Sequence, residues 1–446
     1  MSETTVWPSP ARAWWLITLL FLAGIVSIID RSVLNIVVDP VRHDLGIGDE
    51  QIGLLQGLAF GLFYAFMGIP MGLLADRISR RNLIAGGIAL WSCATMVSGL
   101  AQSFGQLFAA RLLVGLGEAA LAPAAISLIA DLFAPEKRGR PLSVYMMGQG
   151  LANGIAITLT ALILASAAGG ALGALPALDG LAPWRKVFVL FGASGLIVAA
   201  LFLTAKEPVR QGGEGAKAAL PGVAELRFLI DNRGVLLPLY FGFALCFTVA
   251  YGAAAWTPAM LMRGFGASPA YLGKWLGPMA MAFSALGPLI GGFLLDRSMR
   301  SGNIMARFRL LMIAPAFAIP AAVAVLAGSL PLAALLVASA NAVFSVIGIT
   351  LFATLQSIVP PRMRGSAISL TLVLNTLIGA TLGPLAIASL TTRVLGDPAK
   401  VGWSIALVAV PCLCAGMALF ALARRNMVLA AAAGTQTARL LAGEPA

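Results

Sequence analysis

Hydrophobic and polar positions alternate here on a long scale. About twelve runs of roughly 20 or more apolar residues, each enough for a helix to cross a bilayer core, are separated by short polar connections. The runs cover 13–38, 51–75, 82–101, 104–133, 141–168, 185–205, 235–262, 269–295, 306–328, 330–359, 366–393 and 402–424. The pattern predicts an all-α membrane protein of twelve transmembrane helices. Several runs exceed the minimum crossing length, which predicts tilt or extension past the membrane surface. The longest polar connection, AKEPVRQGGEGAKAALPGVAELRFLIDNRG, follows the sixth run. Its Gly-rich centre reads as a linker, and VAELRFLI as a short amphipathic helix on the inner membrane surface. The chain therefore divides into an N-terminal six-helix bundle (1–205), a cytoplasmic linker (206–234), a C-terminal six-helix bundle (235–425) and a cytoplasmic tail (426–446).

Composition agrees with a lipid environment. Of 446 residues, 59% are hydrophobic and only 11% charged, and mean hydropathy is +0.93; a soluble chain carries about 25% charge. The net charge of +12 does not point to nucleic acid, because most Lys and Arg fall in short loops on one side of the runs. That bias predicts cytoplasmic termini, and the short loops with Ala/Gly-rich spans suggest a bacterial inner membrane. Trp7, Trp14 and Trp15 suit the aromatic belt at the inner lipid interface. Cys93, Cys246, Cys412 and Cys414 all lie in apolar runs and read as packing residues, not a disulfide or metal set. His43, the lone histidine, reads as a solvated loop residue. No metal or cofactor set is expected.

Four charges interrupt the most apolar runs: Asp30 and Arg31 in the first, Arg111 and Glu118 in the fourth. An ionised group at bilayer depth costs about 2.5–3.5 kcal/mol on insertion scales, so such groups are paired, turned inward and functional. Arg111 and Glu118 are seven residues apart and share a helix face, while Arg31 shares a face with Asn35. Depth along the two helices places Asp30 level with Arg111, and Glu118 about 10 Å deeper. The expectation is two exchangeable pairs, Asp30 with Arg111 and Arg31 with Glu118. Asp30 and Glu118 are the candidate proton carriers. Arg31, with Arg111 and Asn35, is the candidate contact for an anionic headgroup, because a guanidinium fork binds carboxylate or phosphate in two places. The second half lacks such charges, and its inward candidates are Tyr240, Tyr251, Trp256, Asn341 and Asn375. Pro70, Pro123, Pro258, Pro278, Pro288, Pro315, Pro320 and Pro384 fall inside runs, where lost backbone bonds permit kinks.

The halves repeat. GLLADRISRR after the second run is matched by GFLLDRSMR after the eighth, aligning Gly72 with Gly292 and Asp76 with Asp296. PEKRGR before the fifth run is answered by PRMRGS before the eleventh. Paired halves around a central cavity are an architecture of secondary transporters.

At these residues the chain resembles the major facilitator superfamily, and GLLADRISRR is similar to that superfamily's signature. DRSVLN in the first run, RLLVGLGEAALAPAAISLIADLF in the fourth and EKRGRPLS after it resemble the Spinster group. The resemblance implies the major facilitator fold and alternating access, and for animal members export of lysolipids or sphingosine-1-phosphate. The anion:cation symporters share a DR-containing first span and remain an alternative. It also implies an inner gate. Gly72 permits close helix approach, Asp76 faces the start of the eleventh span near Gly365, and Asp296 with Arg297 faces the start of the fifth near Pro141. Arg77, Arg80 and Arg81 have Asp131 as their nearest candidate acid.

The reading is a proton-coupled secondary transporter for an amphipathic lipid-like or organic anionic solute, working as a monomer among membrane lipids. A small-anion:proton symporter and a non-transporting membrane sensor are the alternatives. GxGE at Gly115 to Glu118 lies inside a span and is no nucleotide loop. HExxH, GxSxG and P-loop motifs do not occur, which argues against an enzyme.

Overall fold

The structure is a computed structural model that describes residues 7–169, 178–210, 223–300, 304–360 and 363–432. Among them are 12 helices long and apolar enough to cross a membrane. They are α1 (Pro10–Ile36), α2 (Asp49–Arg77), α3 (Arg80–Leu100), α4 (Phe104–Leu132), α5 (Gly139–Ala167), α6 (Pro183–Phe202), α7 (Arg233–Phe265), α8 (Pro269–Ser298), α9 (Ile304–Ala322), α10 (Leu330–Ile358), α11 (Arg364–Leu395) and α12 (Pro398–Ala430). Each overlaps its predicted run. Several extend beyond it by a turn or less because polar first-turn residues such as Arg80 and Arg81 are helical although not apolar, with the N-cap Ser79 Oγ accepting from the Asn82 N–H at 3.2 Å to start α3. VAELRFLI forms a short helix, Val223–Asp231. The Gly-rich centre of the linker and the end of the tail lie outside the described residues.

The chain separates into two compact units, Met1–Ala219 with Ser268–Met281, and Leu220–Ala267 with Ala282–Ala446. The first turns of α8 thus cluster with the N-terminal helices, where Thr158 Oγ1 of α5 donates to the Gly273 carbonyl at 3.2 Å.

In the first unit, small residues set how closely the helices approach. Gly87 of α3 and Gly117 of α4 face each other, and a Cβ on either would lie 2.8 Å from the other's carbonyl oxygen. On the opposite side of α4, a Cβ on Gly115 would sit 2.5 Å from the Phe60 carbonyl of α2. The glycines of GLGE therefore wedge α4 between α2 and α3, and Glu118 follows immediately. Pro123 lacks the N–H that would bond to Ala119, so the helix breaks over Ala119–Ala120 and resumes at Leu121. Ala13, Leu16, Leu20, Ile84, Ile88, Trp91 and Leu128 fill the buried core of this unit.

The helices from α8 onward are less regular. Proline spacing turns part of α9 into a 3-10 segment at Ala314–Ala318, and wide π turns occupy Leu272–Leu276 of α8 and Asn375–Ala380 of α11. Pro278 and Pro384 follow these π turns by a few residues, each removing a backbone donor from the ladder. The core of the second unit is aromatic: the Phe243 and Phe247 rings lie 4.3 Å apart, with those of Phe344 and Phe352 each 6.0 Å from one of them.

Candidate functional site

Three of the four intramembrane charges are buried at 0–1% exposure, namely Asp30, Arg111 and Glu118. They meet where α1 crosses α4. One oxygen of Glu118, Oε2, accepts three bonds: from Arg31 Nε at 2.7 Å, from Arg31 Nη2 at 2.6 Å and from Ser27 Oγ at 2.7 Å. Ser27 and Arg31 stand four residues apart on α1, so one face of that helix supplies all three donors. The carboxylate is sealed at 0% side-chain exposure, whereas Arg31 retains 27%. The guanidinium is therefore the accessible member of the pair.

Aromatic rings of α2 hold it there. The Arg31 guanidinium carbon lies 4.2 Å from the Phe60 ring centre and 4.7 Å from that of Tyr64. The two rings are stacked 5.3 Å apart. Tyr145 of α5 faces the same space, its buried hydroxyl beside Arg31, Tyr64 and Gln149. Asn35, the expected neighbour of Arg31, accepts from Gln56 Nε2 at 3.2 Å, and Ser32 Oγ contacts Asn153 Oδ1 at 3.3 Å.

The other expected pair forms differently. Arg111 donates through Nη1 to the main-chain carbonyl of Asp30 at 2.7 Å and through Nη2 to that of Arg31 at 3.4 Å. The Asp30 carboxylate makes no ion pair with it. Adjacent residues on a helix diverge by about 100°, so with Arg31 aimed at Glu118 the short Asp30 side chain is carried round toward α3. Arg111 reaches the backbone that Asp30 leaves exposed.

At the end of α2, Asp76 and Arg77 are exposed, and Gly72 lies against Pro123 of α4. The charges that meet there belong to the next turn. Arg80, 1% exposed, pairs with Asp131 and, through Nε at 2.9 Å, with Glu207. Of the three arginines for which Asp131 is the expected acid, it is Arg80 that engages it. The Ser79 cap starts α3 so that Arg80 points into α4, while Arg81, one position on, turns to the Ala205 carbonyl at 2.9 Å and to Asn82. Half-burial pushes the Glu207 carboxyl up, but the Arg81 backbone N–H, the Arg80 guanidinium and the Ser79 hydroxyl outweigh it and hold the group below the usual carboxylate range. Arg210 then closes over the end of α2 with bonds to the carbonyls of Ala75, Asp76 and Ile78. Asp296 and Arg297 end α8 exposed; among the described residues neither aspartate at these helix ends forms an ion pair within its unit.

The second-half candidates separate into two groups. Tyr251 is 37% exposed and lies 3.5 Å from Asn375 Nδ2, with Phe247 beside it. Trp256 and Tyr240 are buried at 0–1%, and the Trp256 indole bonds to the Pro384 carbonyl at 2.9 Å. These two pack helices together instead of lining a space. Asn341 turns back onto the Ala338 carbonyl of its own helix at 3.0 Å.

Sequence reading missed Phe60, Tyr64, Tyr145, Gln149, Trp91, Thr95 and Glu207. For six of them the signal was present: 60 and 64, 145 and 149, and 91 and 95 are each polar or aromatic pairs at i, i+4, which is one helix face.

Twelve membrane-crossing helices in repeated halves, with a buried acid–arginine pair between the first and fourth, describe a membrane transporter, and the chain belongs to the Major Facilitator Superfamily, whose profile matches residues 20–384. Within that superfamily it is Spinster-like. It is 30% identical over 388 residues to an MFS-type efflux pump of Mycolicibacterium smegmatis, covering 87% of this chain and 86% of the pump. Protein spinster of Drosophila melanogaster is 28% identical over 68% of this chain, which spans only 49% of that longer relative. Among solved structures, a bacterial homolog of the human lysosomal transporter Spinster, in an inward-facing and unoccupied conformation, aligns with 98% of this chain and 100% of its own at 27% identity and TM-score 0.77.

Proposed function

We propose that this protein is a proton-coupled secondary transporter, working by alternating access, for a solute with an anionic headgroup and an apolar body. One observation carries the reading: Glu118 is sealed from solvent while its partner Arg31 is 27% exposed between two aromatic rings. Protonation of Glu118 removes the charge that holds Arg31, and the preformed guanidinium can then engage an anion. Deprotonation draws it back to the carboxylate and expels the anion. Asp30 is the second proton site, and Arg111 anchors α1 to α4 through the main chain. Within the second unit, Phe247 and Tyr251 with Asn375 form a partly exposed aromatic surface that suits apolar groups. Asp76, Arg77, Arg81, Asp131, Gly72, Asp296 and Arg297 serve the inner gate, with Arg80 and Glu207 fixing the loop that carries the first three. The Lys/Arg bias of the loops supports cytoplasmic termini in a bacterial inner membrane, and the efflux-pump relative supports export.

The test is flux in proteoliposomes holding the purified protein, with a lysolipid and a panel of small organic anions offered with and without a pH gradient. Gradient-driven movement of the lysolipid is expected, and Glu118→Gln abolishes the gradient dependence. Movement of the small anions alone would establish the symporter alternative. Ligand-induced conformational change without any flux would establish a sensor.

A further inference from the structure

The Asp30 carboxyl is the charged group that the Arg31–Glu118 pair leaves unused. It is 0% exposed, and neither oxygen accepts a hydrogen bond. Facing it from α3 are Trp91 Nε1 and Thr95 Oγ1, one turn apart, each on a residue 0% exposed and each close to the carboxyl without a well-formed hydrogen bond to it. Arg111 keeps its Nε uncommitted in the same region while its other nitrogens hold the carbonyls of Asp30 and Arg31. Donors and acceptors thus lie buried side by side with their bonds poorly formed.

Such a set does not stabilise the arrangement that contains it, because each buried unmet group costs about 1–3 kcal/mol. Apolar residues of the same size would pack α1 against α3 without that cost. A carboxyl that alternates between two states accounts for the donors: the neutral acid has little need of them, whereas the ionised form inside a membrane requires them.

We propose that Trp91 and Thr95 are positioning residues for Asp30, forming a cradle into which its carboxylate turns when ionised and from which it is released when protonated. The inference rests on the reading of Asp30 as a proton site. It also selects the coupling ion. Sodium sites in transporters are built from oxygen ligands such as unwound backbone carbonyls. Here the facing groups are an indole N–H and a guanidinium N–H, Thr95 offers a lone hydroxyl, and both nearby carbonyls accept from Arg111. A metal cation meets donors and a positive charge, while a proton simply joins the carboxyl. The charged groups facing Asp30 are Glu118 and Arg111, both on α4. Arg31 of its own helix is turned to Glu118, and Tyr145 of α5 lies with Arg31. The end charges of α3 and α6 are engaged elsewhere, Arg80 with Asp131 and Glu207, and Arg185 with Asp44.

The experiment is a pH titration of the protonated-carboxyl infrared band of the full-length protein reconstituted in lipid, with no transported solute. The Asp30→Asn variant assigns the band by its loss. Thr95→Val and Trp91→Phe remove one donor each and are expected to move the assigned transition to higher pH by about one unit, the scale of one hydrogen bond to a charge. Thr95→Ser, which keeps the hydroxyl, should restore the original midpoint. Exchange of sodium chloride for choline chloride should leave it in place. If Asp30→Asn removes no titrating band, Asp30 is not a proton site and the underlying reading fails. If the band is lost but Thr95→Val and Trp91→Phe leave its midpoint unchanged, the cradle alone is overturned. A midpoint that moves with sodium overturns the choice of ion.

Discussion

Arg31 is the residue on which the proposed exchange turns, and its neighbours favour a guanidinium there. The guanidinium is planar, so it stacks on Phe60 and Tyr64 while presenting two nitrogens to one oxygen of Glu118. A lysine retains the charge but neither the stacking nor the paired donors. Arg31→Lys is expected to lower the proteoliposome transport rate about tenfold or more while leaving thermal stability nearly unchanged, because the arginine is part-exposed and the lysine keeps its charge beside Glu118. Ser27→Ala removes only one of three donors to Glu118 and should cost much less, within about threefold. The acid–arginine pair was legible in the sequence, since charges in apolar runs are expensive wherever they occur. The direction of Asp30 was not. Whether it meets the Arg111 guanidinium or α3 depends on the rotation of α1, and periodicity constrains that rotation only to within a residue.

At the scale of elements, the α4 wedge and the α3 entry are the features whose loss would be felt furthest. Gly117 meets Gly87 with no room for a side chain, so Gly117→Val must push α4 away from α3 and carry Glu118 with it. The expected result is loss of transport together with a melting temperature lowered by several degrees, measured by a thermal shift in detergent. At the inner end, Glu207 ties Ser79, Arg80 and Arg81 to the segment after α6. Its carboxyl is held below the usual range, so its contribution is fully present above the ordinary value of about 4.3 and is lost as pH falls through the lower folded value. The melting temperature of Glu207→Gln should therefore fall below that of the parent at pH 7, with the gap closing in acid; an equal gap at every pH would remove the carboxylate from this role. The short polar signature GLLADRISRR announced a charged loop at this place, and Asp131 was the expected acid. Glu207 was hidden, because the closure of a six-helix unit brings its distant chain segment beside Ser79.

At the scale of the whole molecule, the two units carry different chemistries. The first unit buries charge on α1 and α4; the second sets Phe243, Phe247, Phe344 and Phe352 around the approach of Tyr251 and Asn375. The proposed gate belongs to the cytoplasmic ends of the first unit's helices. Asp76→Ala is expected to increase labelling of cysteines introduced at inner positions of the first six helices, and unchanged labelling would count against a gating role for this aspartate. The hydropathy pattern alone determined twelve membrane-crossing helices and the presence of charges inside two of them, because the cost of polar groups in lipid acts on each stretch of chain locally. Only the tertiary structure decided which donors meet which acids. Ser27 with Glu118, Arg111 with a backbone carbonyl and Arg80 with Asp131 and Glu207 depend on helix rotation and close glycine packing, which are collective properties of several elements at once.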